Sequence, residues 1–180
     1  MAGGAAAGLM PLRAVAQDAG PLKGTVRGGN IDPIPVAITD FTGDDPKVAF
    51  DVTQIVANDL QNSGLFKVLP REAFLEQVRD INQAPRFADW KAIEARAVVV
   101  GRISRLGDGR LKADFRAWDV LLAKSIAGAS YTIPAATWRR AGHIIADQVY
   151  SKFTGEGPYF DSRIVFIDES GPKERRVKRL

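Results

Sequence analysis

The only histidine of the chain, His143, lies four residues before an acid, Asp147, in the stretch RRAGHIIADQVYSKF. On a helix this spacing makes the two side chains neighbours, and a carboxylate can orient an imidazole for general-base catalysis. No nucleophile or second metal ligand accompanies the pair. A hydrolase using His143 and Asp147 is therefore one hypothesis, and a surface helical pair or a contact with a neighbouring domain is the other.

A helical wheel favours the second of these interpretations. With Ile145 at the centre of the buried side, Ala141 and Val149 lie beside it, as expected for an amphipathic helix. His143 and Asp147 fall about 160° away, on the predicted outer face. Tyr150 shares that face. We therefore expect these three polar residues, His143, Asp147 and Tyr150, to face a neighbouring domain rather than to catalyse a reaction.

The other acids do not form a catalytic pair. Asp44-Asp45 precedes a proline that is typical of a helix start, and Asp168-Glu169 lies at a predicted turn. The sequence has no phosphate-binding loop, dinucleotide fingerprint, nucleophile elbow or zinc-protease motif. The absence of cysteine excludes disulfides and thiol catalysis. We expect no catalytic residue, no cofactor, no metal site and no enzyme activity.

The positive charge of the chain is concentrated at its end. The formal net charge is +4, and the last ten residues, GPKERRVKRL, hold five bases and one acid, which accounts for all of it. A basic tail can bind nucleic acid, but its alternation around Val177 also favours an exposed sheet strand. We favour the strand and keep nucleic-acid binding as the alternative function.

The N-terminal segment has the composition of a residual export signal. The stretch MAGGAAAGLMPL is small and apolar, and Ala14-Val15-Ala16 has the form of a signal-peptidase site before Gln17. A flexible Ala/Gly tail is the alternative. No apolar run reaches the roughly 20 residues that span a bilayer. We expect residues 1–21 to be a signal-peptide remnant and a disordered N-terminus, without direct membrane insertion.

The hydrophobic pattern predicts the element order β-α-β-α-α-β-β-β-α, which is typical of an α/β (α+β) domain with a mixed β-sheet and packed helices. The predicted strands are 34–41, 65–70, 97–106, 110–120 and 125–133, and the predicted helices are 46–63, 71–78, 87–95 and 135–153. The pattern changes after Pro158. There a strand, a turn at 169–172 and the start of another strand indicate the beginning of a second, β-rich domain.

Several long stretches resemble the TolB family, whose members are periplasmic components of the Tol–Pal envelope system. The resemblance runs in one order from Leu22 to Leu180, and it rests on GNIDPIPVAITDF, IVANDLQNSGLFKVLP, AVVVGRISRLGDGRLKADFRAWDV, WRRAGHIIADQVYSKFTGEGPYFDSRIVFI and ESGPKERRVKRL. It implies an α/β domain with an anticodon-binding-like fold at 22–158. It also implies that 159–180 is the truncated first blade of a β-propeller.

The resemblance further implies a function and partners. Members of the family have no known catalysis or cofactor, support outer-membrane integrity and constriction during cell division, and are exploited by bacteriocins. Their N-terminal segment binds TolA, which carries over to Leu22, Lys23, Gly24, Thr25, Val26, Arg27 and Gly28. Gly24 departs from the larger apolar residue that is common there, so weaker TolA binding is expected. Pal is bound only through the propeller that is missing here, and no nucleic acid is implied.

Overall fold

The computed structural model describes residues 32–162, 167–172, 175 and 177–179. The predicted signal remnant, the predicted TolA-binding segment 22–28 and most of the predicted strand that follows Ser162 lie outside the described residues. Within the described part, no helix has the length and apolarity that crossing a membrane requires.

The predicted mixed α/β architecture is confirmed. The strands of the described residues are β1 (Ile34–Ile38), β2 (Thr42–Gly43), β3 (Phe66–Val68), β4 (Ala97–Arg105), β5 (Leu111–Asp119), β6 (Lys124–Ile133), β7 (Asp168–Ser170) and β8 (Val177–Arg179). The helices are α1 (Pro46–Asn62), α2 (Phe87–Ala92) and α3 (Arg139–Thr154), with short 3-10 turns at Arg71–Ala73 and Ala135–Thr137.

The main sheet has the strand order β3-β1-β4-β5-β6 and is not closed into a barrel. Strands β3, β1 and β4 run parallel, whereas β5 and β6 are antiparallel neighbours of β4 and of each other. The short β2 also pairs with β4. The predicted GDG turn joins β4 to β5, and β7 pairs with β8 as a separate two-stranded sheet.

The sheet buries apolar side chains on both faces. Helices α1 and α3 cover the first face, where the predicted alternation of Leu111, Ala113, Phe115 and Ala117 is buried in the larger core cluster. The second face is covered over β1 and β4 by α2 and the segment before it, around Trp90, which is 1% exposed. Burial of apolar surface on both faces is the main stabilising term of such a fold.

The predicted helix at 71–78 is wrong. Only Arg71–Ala73 forms a 3-10 turn, and the chain then crosses the second face of the sheet without regular structure. Glu76 explains this path, since its carboxylate accepts hydrogen bonds from the Arg86 backbone N–H and from Trp90 Nε1, both at 2.7 Å. Tertiary hydrogen bonding and the packing of Phe74 therefore outweigh the local helical pattern.

The contact between α1 and α3 brings Asp59 of α1 next to His143 of α3. Helix α1 begins as predicted, with the Asp45 carboxylate accepting from the Val48 N–H at 3.1 Å. Helix α3 ends at Gly155, whose φ of 76° is the left-handed cap that glycine favours. Between them Gly142 lets the helices approach, because a Cβ there would lie 2.5 Å from Cγ2 of Ile55. As a result, the neighbouring turns of α1 and α3 also lie against each other.

Candidate interdomain site at the end of the last helix

The carboxylate of Asp147 holds the segment that leaves α3. One oxygen accepts the backbone N–H groups of Tyr159 and Phe160, both at 2.8 Å, and the other accepts that of Asp161 at 3.0 Å. Asp147 is only 3% exposed. Three hydrogen bonds to one buried carboxylate fix the course of three consecutive residues, because each broken bond leaves a buried polar group unsatisfied.

The expectation that Asp147 and Tyr150 lie on the outer face of α3 is wrong. Asp147 and Tyr150 are both buried, at 3% and 5% exposure, while Ala141, Ile145 and Val149 are buried as predicted. The physical reason is that the chain after Gly155 turns back over this side of the helix. A helical wheel contains no information about a segment that returns from beyond the helix.

The predicted pairing of His143 with Asp147 does not form. His143 Nδ1 instead lies 2.7 Å from Oδ2 of Asp59, a residue of α1. When the Asp59 carboxylate is ionised it only accepts hydrogen bonds, and Nδ1 then carries the hydrogen in this contact. His143 therefore connects the two helices that cover the first face of the sheet, and its side chain keeps 35% exposure.

Aromatic side chains surround the same segment. The Tyr150 hydroxyl donates to the Glu156 carboxylate at 2.7 Å. The Tyr150 ring contacts those of Phe66, Tyr159 and Phe160 at centroid distances of 6.2, 5.1 and 5.6 Å. On the outer side the Arg140 guanidinium donates to both oxygens of Asp161, at 3.1 and 2.9 Å. Ring packing and polar bonds thus hold residues 156–161, which we call the exit segment, on α3.

Acidic side chains surround the exit segment and shift the pKa values of nearby groups. Burial raises the pKa of Asp59, and the charge of Asp147 adds to this, while the hydrogen bond and charge of His143 offset part of the effect. Partial burial and the charges of Asp59, Asp147 and Glu156 raise the pKa of Tyr159. Hydrogen bonding to Glu156 likewise raises the pKa of Tyr150. Each shift follows from burial or from a nearby negative charge.

In this arrangement the polar side chains hold the exit segment on α3 and connect α3 to α1. The oxygens of Asp147 accept from backbone groups, and Nδ1 of His143 is used by Asp59. No group of three or more His, Asp or Glu side chains among the described residues has metal-binding geometry. What the site does is determine the direction in which the chain leaves the α/β domain.

Sequence reasoning found part of this site. It selected His143, Asp147 and Tyr150 from their positions on α3, but it missed Asp59 and Glu156. Asp59 is 84 residues from His143 in the chain, and no local pattern relates the two. The predicted TolA-binding residues 22–28 lie outside the described part, and so do most side chains of the basic tail. Their functions stay predictions, as does the contact of the site with a neighbouring domain.

Comparisons with known proteins identify relatives of this fold. A family model described as the TolB amino-terminal domain matches residues 25–126. The crystal structure of TolB from Acinetobacter baumannii is similar at 29% identity and a TM-score of 0.59, over 69% of this chain. The chain covers 29% of the length of that relative.

Two further solved structures are more distant. The lipoprotein GNA1162 from Neisseria meningitidis has 16% identity and a TM-score of 0.46, over 57% of this chain and 81% of its own. The LpoB C-terminal domain from Salmonella enterica has 11% identity and a TM-score of 0.44, over 59% and 87%. Because both TM-scores are below 0.5, neither likeness supports a statement about function. The family match ends before α3, so the exit segment lies beyond it.

Proposed function

The chain belongs to the TolB amino-terminal domain family, and from that premise we propose that it is a non-catalytic adaptor of the Tol–Pal envelope system in the periplasm. The observation that carries the proposal is the family match over residues 25–126, together with the likeness to TolB from Acinetobacter baumannii. Support for outer-membrane integrity and for constriction during cell division follows from this role.

The adaptor has one binding segment at its start. Residues 22–28 alternate Leu22, Gly24 and Val26 with Lys23, Thr25 and Arg27, a pattern typical of an extended strand. Such a segment can add to the edge of the TolA sheet, where backbone hydrogen bonds give affinity and alternate side chains give specificity. Gly24 lowers the affinity, since it offers no side chain and loses more backbone entropy on ordering.

The exit segment supplies the second element of the adaptor. Asp147 fixes residues 159–161, which in this proposal are the first residues of a following β-propeller. A fixed exit direction gives the propeller a defined orientation relative to the α/β domain. Pal binding belongs to that propeller, so His143, Asp147 and Tyr150 act as structural contacts of the joint between the domains.

The proposal is tested by removing the binding segment. Deletion of residues 22–28 should abolish binding to the C-terminal domain of TolA in isothermal titration calorimetry, while circular dichroism shows an unchanged fold. Deletion of residues 2–14 is the matched control, and it should leave the affinity intact. A second variant, Gly24→Val, should bind more tightly because it adds apolar contact and reduces the entropy lost. Unchanged affinity after the 22–28 deletion contradicts the proposal.

A further inference from the structure

We propose that the outer edge of β6 is a docking site for an extended, acidic segment of a partner protein. Strand β6 is the terminal strand of the main sheet, and no described strand lies on its outer side. It is ten residues long, whereas the opposite terminal strand, β3, has three. An unpaired edge of this length presents a row of backbone donors and acceptors that another strand can pair with.

The composition of β6 favours such pairing. Natural edge strands are commonly protected by charges or by proline, and from Ser125 to Ile133 this strand has neither. Ser125, Gly128, Ser130 and Thr132 are exposed, and their side chains are small. Small side chains let a second backbone approach to hydrogen-bonding distance. The edge is therefore sterically open along most of its length.

A groove accompanies this edge on the second face of the sheet. The segment before α2 packs on the second face of the sheet, and its residues Ile81 and Asn82 line one side of the groove. The groove floor is formed by β5 and by residues 125–130 of β6. A strand added to β6 would direct every second side chain toward this groove, because side chains alternate between the faces of a sheet.

Arg116 determines the chemistry that the groove recognises. It lies on β5 directly opposite Gly128 of β6. Its Nε is buried without a hydrogen-bond partner, and its guanidinium lies 5.7 Å from the ring centroid of Trp118. Arg116 forms no ion pair within the described residues. It is thus a half-buried cation whose charge is not neutralised by any described carboxylate.

The other charges of the groove do not neutralise Arg116. Among the described residues that line the groove, the acid is Asp114, which contacts Lys112 Nζ at 3.0 Å and Arg102 at 3.7 Å. These described side chains, Arg102, Lys112 and Arg116 with Asp114, are three cations and one carboxylate, which favours an incoming negative charge. Because Gly128 has no side chain, a carboxylate from an added strand can extend over it toward Arg116. A basic segment would meet unfavourable charge in the same place.

The same charge argument selects a partner over a second copy of this chain. Two copies that pair through β6 would bring together uncharged residues from Ser125 to Ile133, with Lys124 at the end. Neither copy would supply a carboxylate to Arg116 from that strand. An aspartate or glutamate in an extended partner segment does supply it, and it forms a charge-assisted hydrogen bond where none exists now.

Synthetic peptides of matched length test the proposal. Three fluorescein-labelled ten-residue peptides alternate threonine with glutamate, glutamine or lysine, and their binding to the full chain is followed by anisotropy at low and high salt. The glutamate peptide should bind roughly tenfold more tightly than the glutamine peptide, the factor expected for one charge-assisted hydrogen bond. The lysine peptide should bind least. Amide exchange should slow on β6 and not on β3.

Variants separate the groove from general electrostatics. Arg116→Gln should remove the preference for glutamate over glutamine. Gly128→Thr should weaken the binding of both peptides, because its side chain would obstruct the approach of the added strand. The fold should tolerate this change, since a Cβ at position 128 has only ordinary contacts within the protein. Arg110→Gln is the matched control, because Arg110 already pairs with Asp108 outside the groove. Equal binding of the three peptides, a preference that survives Arg116→Gln, or protection of β6 by self-association without peptide overturns the proposal.

Discussion

His143 Nδ1 lies 2.7 Å from the carboxylate of Asp59, which is 84 residues earlier in the chain. The acid that follows His143 by one helical turn, Asp147, binds three backbone N–H groups of the exit segment instead. The two acids therefore have separate structural roles. Asp59 connects α1 to α3 through His143, and Asp147 connects α3 to the chain that follows it.

Loss of the Asp147 carboxylate should release the exit segment. We expect Asp147→Ala to lower the free energy of unfolding by about 2–4 kcal/mol, because three backbone donors lose a charged, buried acceptor. Hydrogen exchange should accelerate at the amides of residues 159–161. Asp147→Asn keeps one acceptor oxygen, so its loss in the free energy of unfolding should be intermediate. Asp51→Ala is the control, and it should cost less than about 0.5 kcal/mol, since Asp51 belongs to an exposed helical pair with Lys47. Unchanged exchange in Asp147→Ala would contradict the prediction.

The raised pKa of Asp59 predicts a specific pH dependence. Burial holds this pKa above its ordinary value, so the folded state retains the proton at a pH where the unfolded chain releases it. The resulting stabilisation is present below about pH 4 and is lost as the pH rises through the folded pKa. Asp59→Asn cannot ionise, so its stability relative to the natural protein should increase between pH 4 and pH 7. Urea denaturation across this range measures the difference.

A His143→Ala background provides the control for Asp59. Removing the imidazole removes the interactions that lower the pKa of Asp59, so the pH-dependent change in stability that Asp59→Asn produces should become larger in this background. If the effect of Asp59→Asn on the free energy of unfolding is constant from pH 4 to pH 7 in both backgrounds, burial does not raise the pKa of Asp59.

Asp114 should behave in the opposite way. Burial raises its pKa, but hydrogen bonds from Ser130 and Lys112 and the charges of Lys112 and Arg102 outweigh this and lower the pKa below its ordinary value. The stabilisation is therefore present above about pH 4 and is lost as the pH falls through the folded pKa. Asp114→Asn should cost about 2 kcal/mol at pH 7 and progressively less in acid. Chemical denaturation at pH 7 and pH 3 tests the sign, and a larger cost in acid would contradict it.

The close contact of α1 and α3 should not tolerate a methyl group at Gly142. Alanine is intrinsically better than glycine in a helix by about 1 kcal/mol. Its Cβ would nevertheless lie 2.5 Å from Ile55 Cγ2 and 3.3 Å from the Val52 carbonyl oxygen. We expect Gly142→Ala to lower the free energy of unfolding by about 1–3 kcal/mol. Gly157→Ala is the control and should be near neutral, since no described residue other than its chain neighbours lies within 4 Å of its Cβ position.

A double variant tests the cause of that cost. If the overlap with Ile55 is responsible, Gly142→Ala should cost less in an Ile55→Gly background, which removes both Cγ2 and the Ile55 Cβ that would lie 2.7 Å from the new methyl group, and the two changes should be non-additive. If the two changes in the free energy of unfolding are additive, contacts other than the one with Ile55 cause the strain. Thermal or urea unfolding of the four proteins in the cycle gives the coupling energy.

Much of the fold was predictable because local patterns agreed with tertiary packing. The Asp45–Pro46 start of α1, the alternation along β5 and the glycine at the end of α3 each have a local physical cause, and the structure confirms them. The segment 71–78 was not predictable in this way. Its apolar spacing is helical, but Glu76 and Phe74 find their partners on the distant second face of the sheet.

The sequence by itself determined the α/β class, the order of the main elements, the family resemblance and the lack of a recognisable catalytic motif. Only the tertiary structure decided the partner of His143, the burial of Asp147 and Tyr150, and the unneutralised Arg116 beside an open sheet edge. The physical reason is the range of the interactions. Periodicity, caps and turns act over a few residues, whereas these contacts join elements that are separated along the chain, so the packing of the sheet and helices determines which side chains meet.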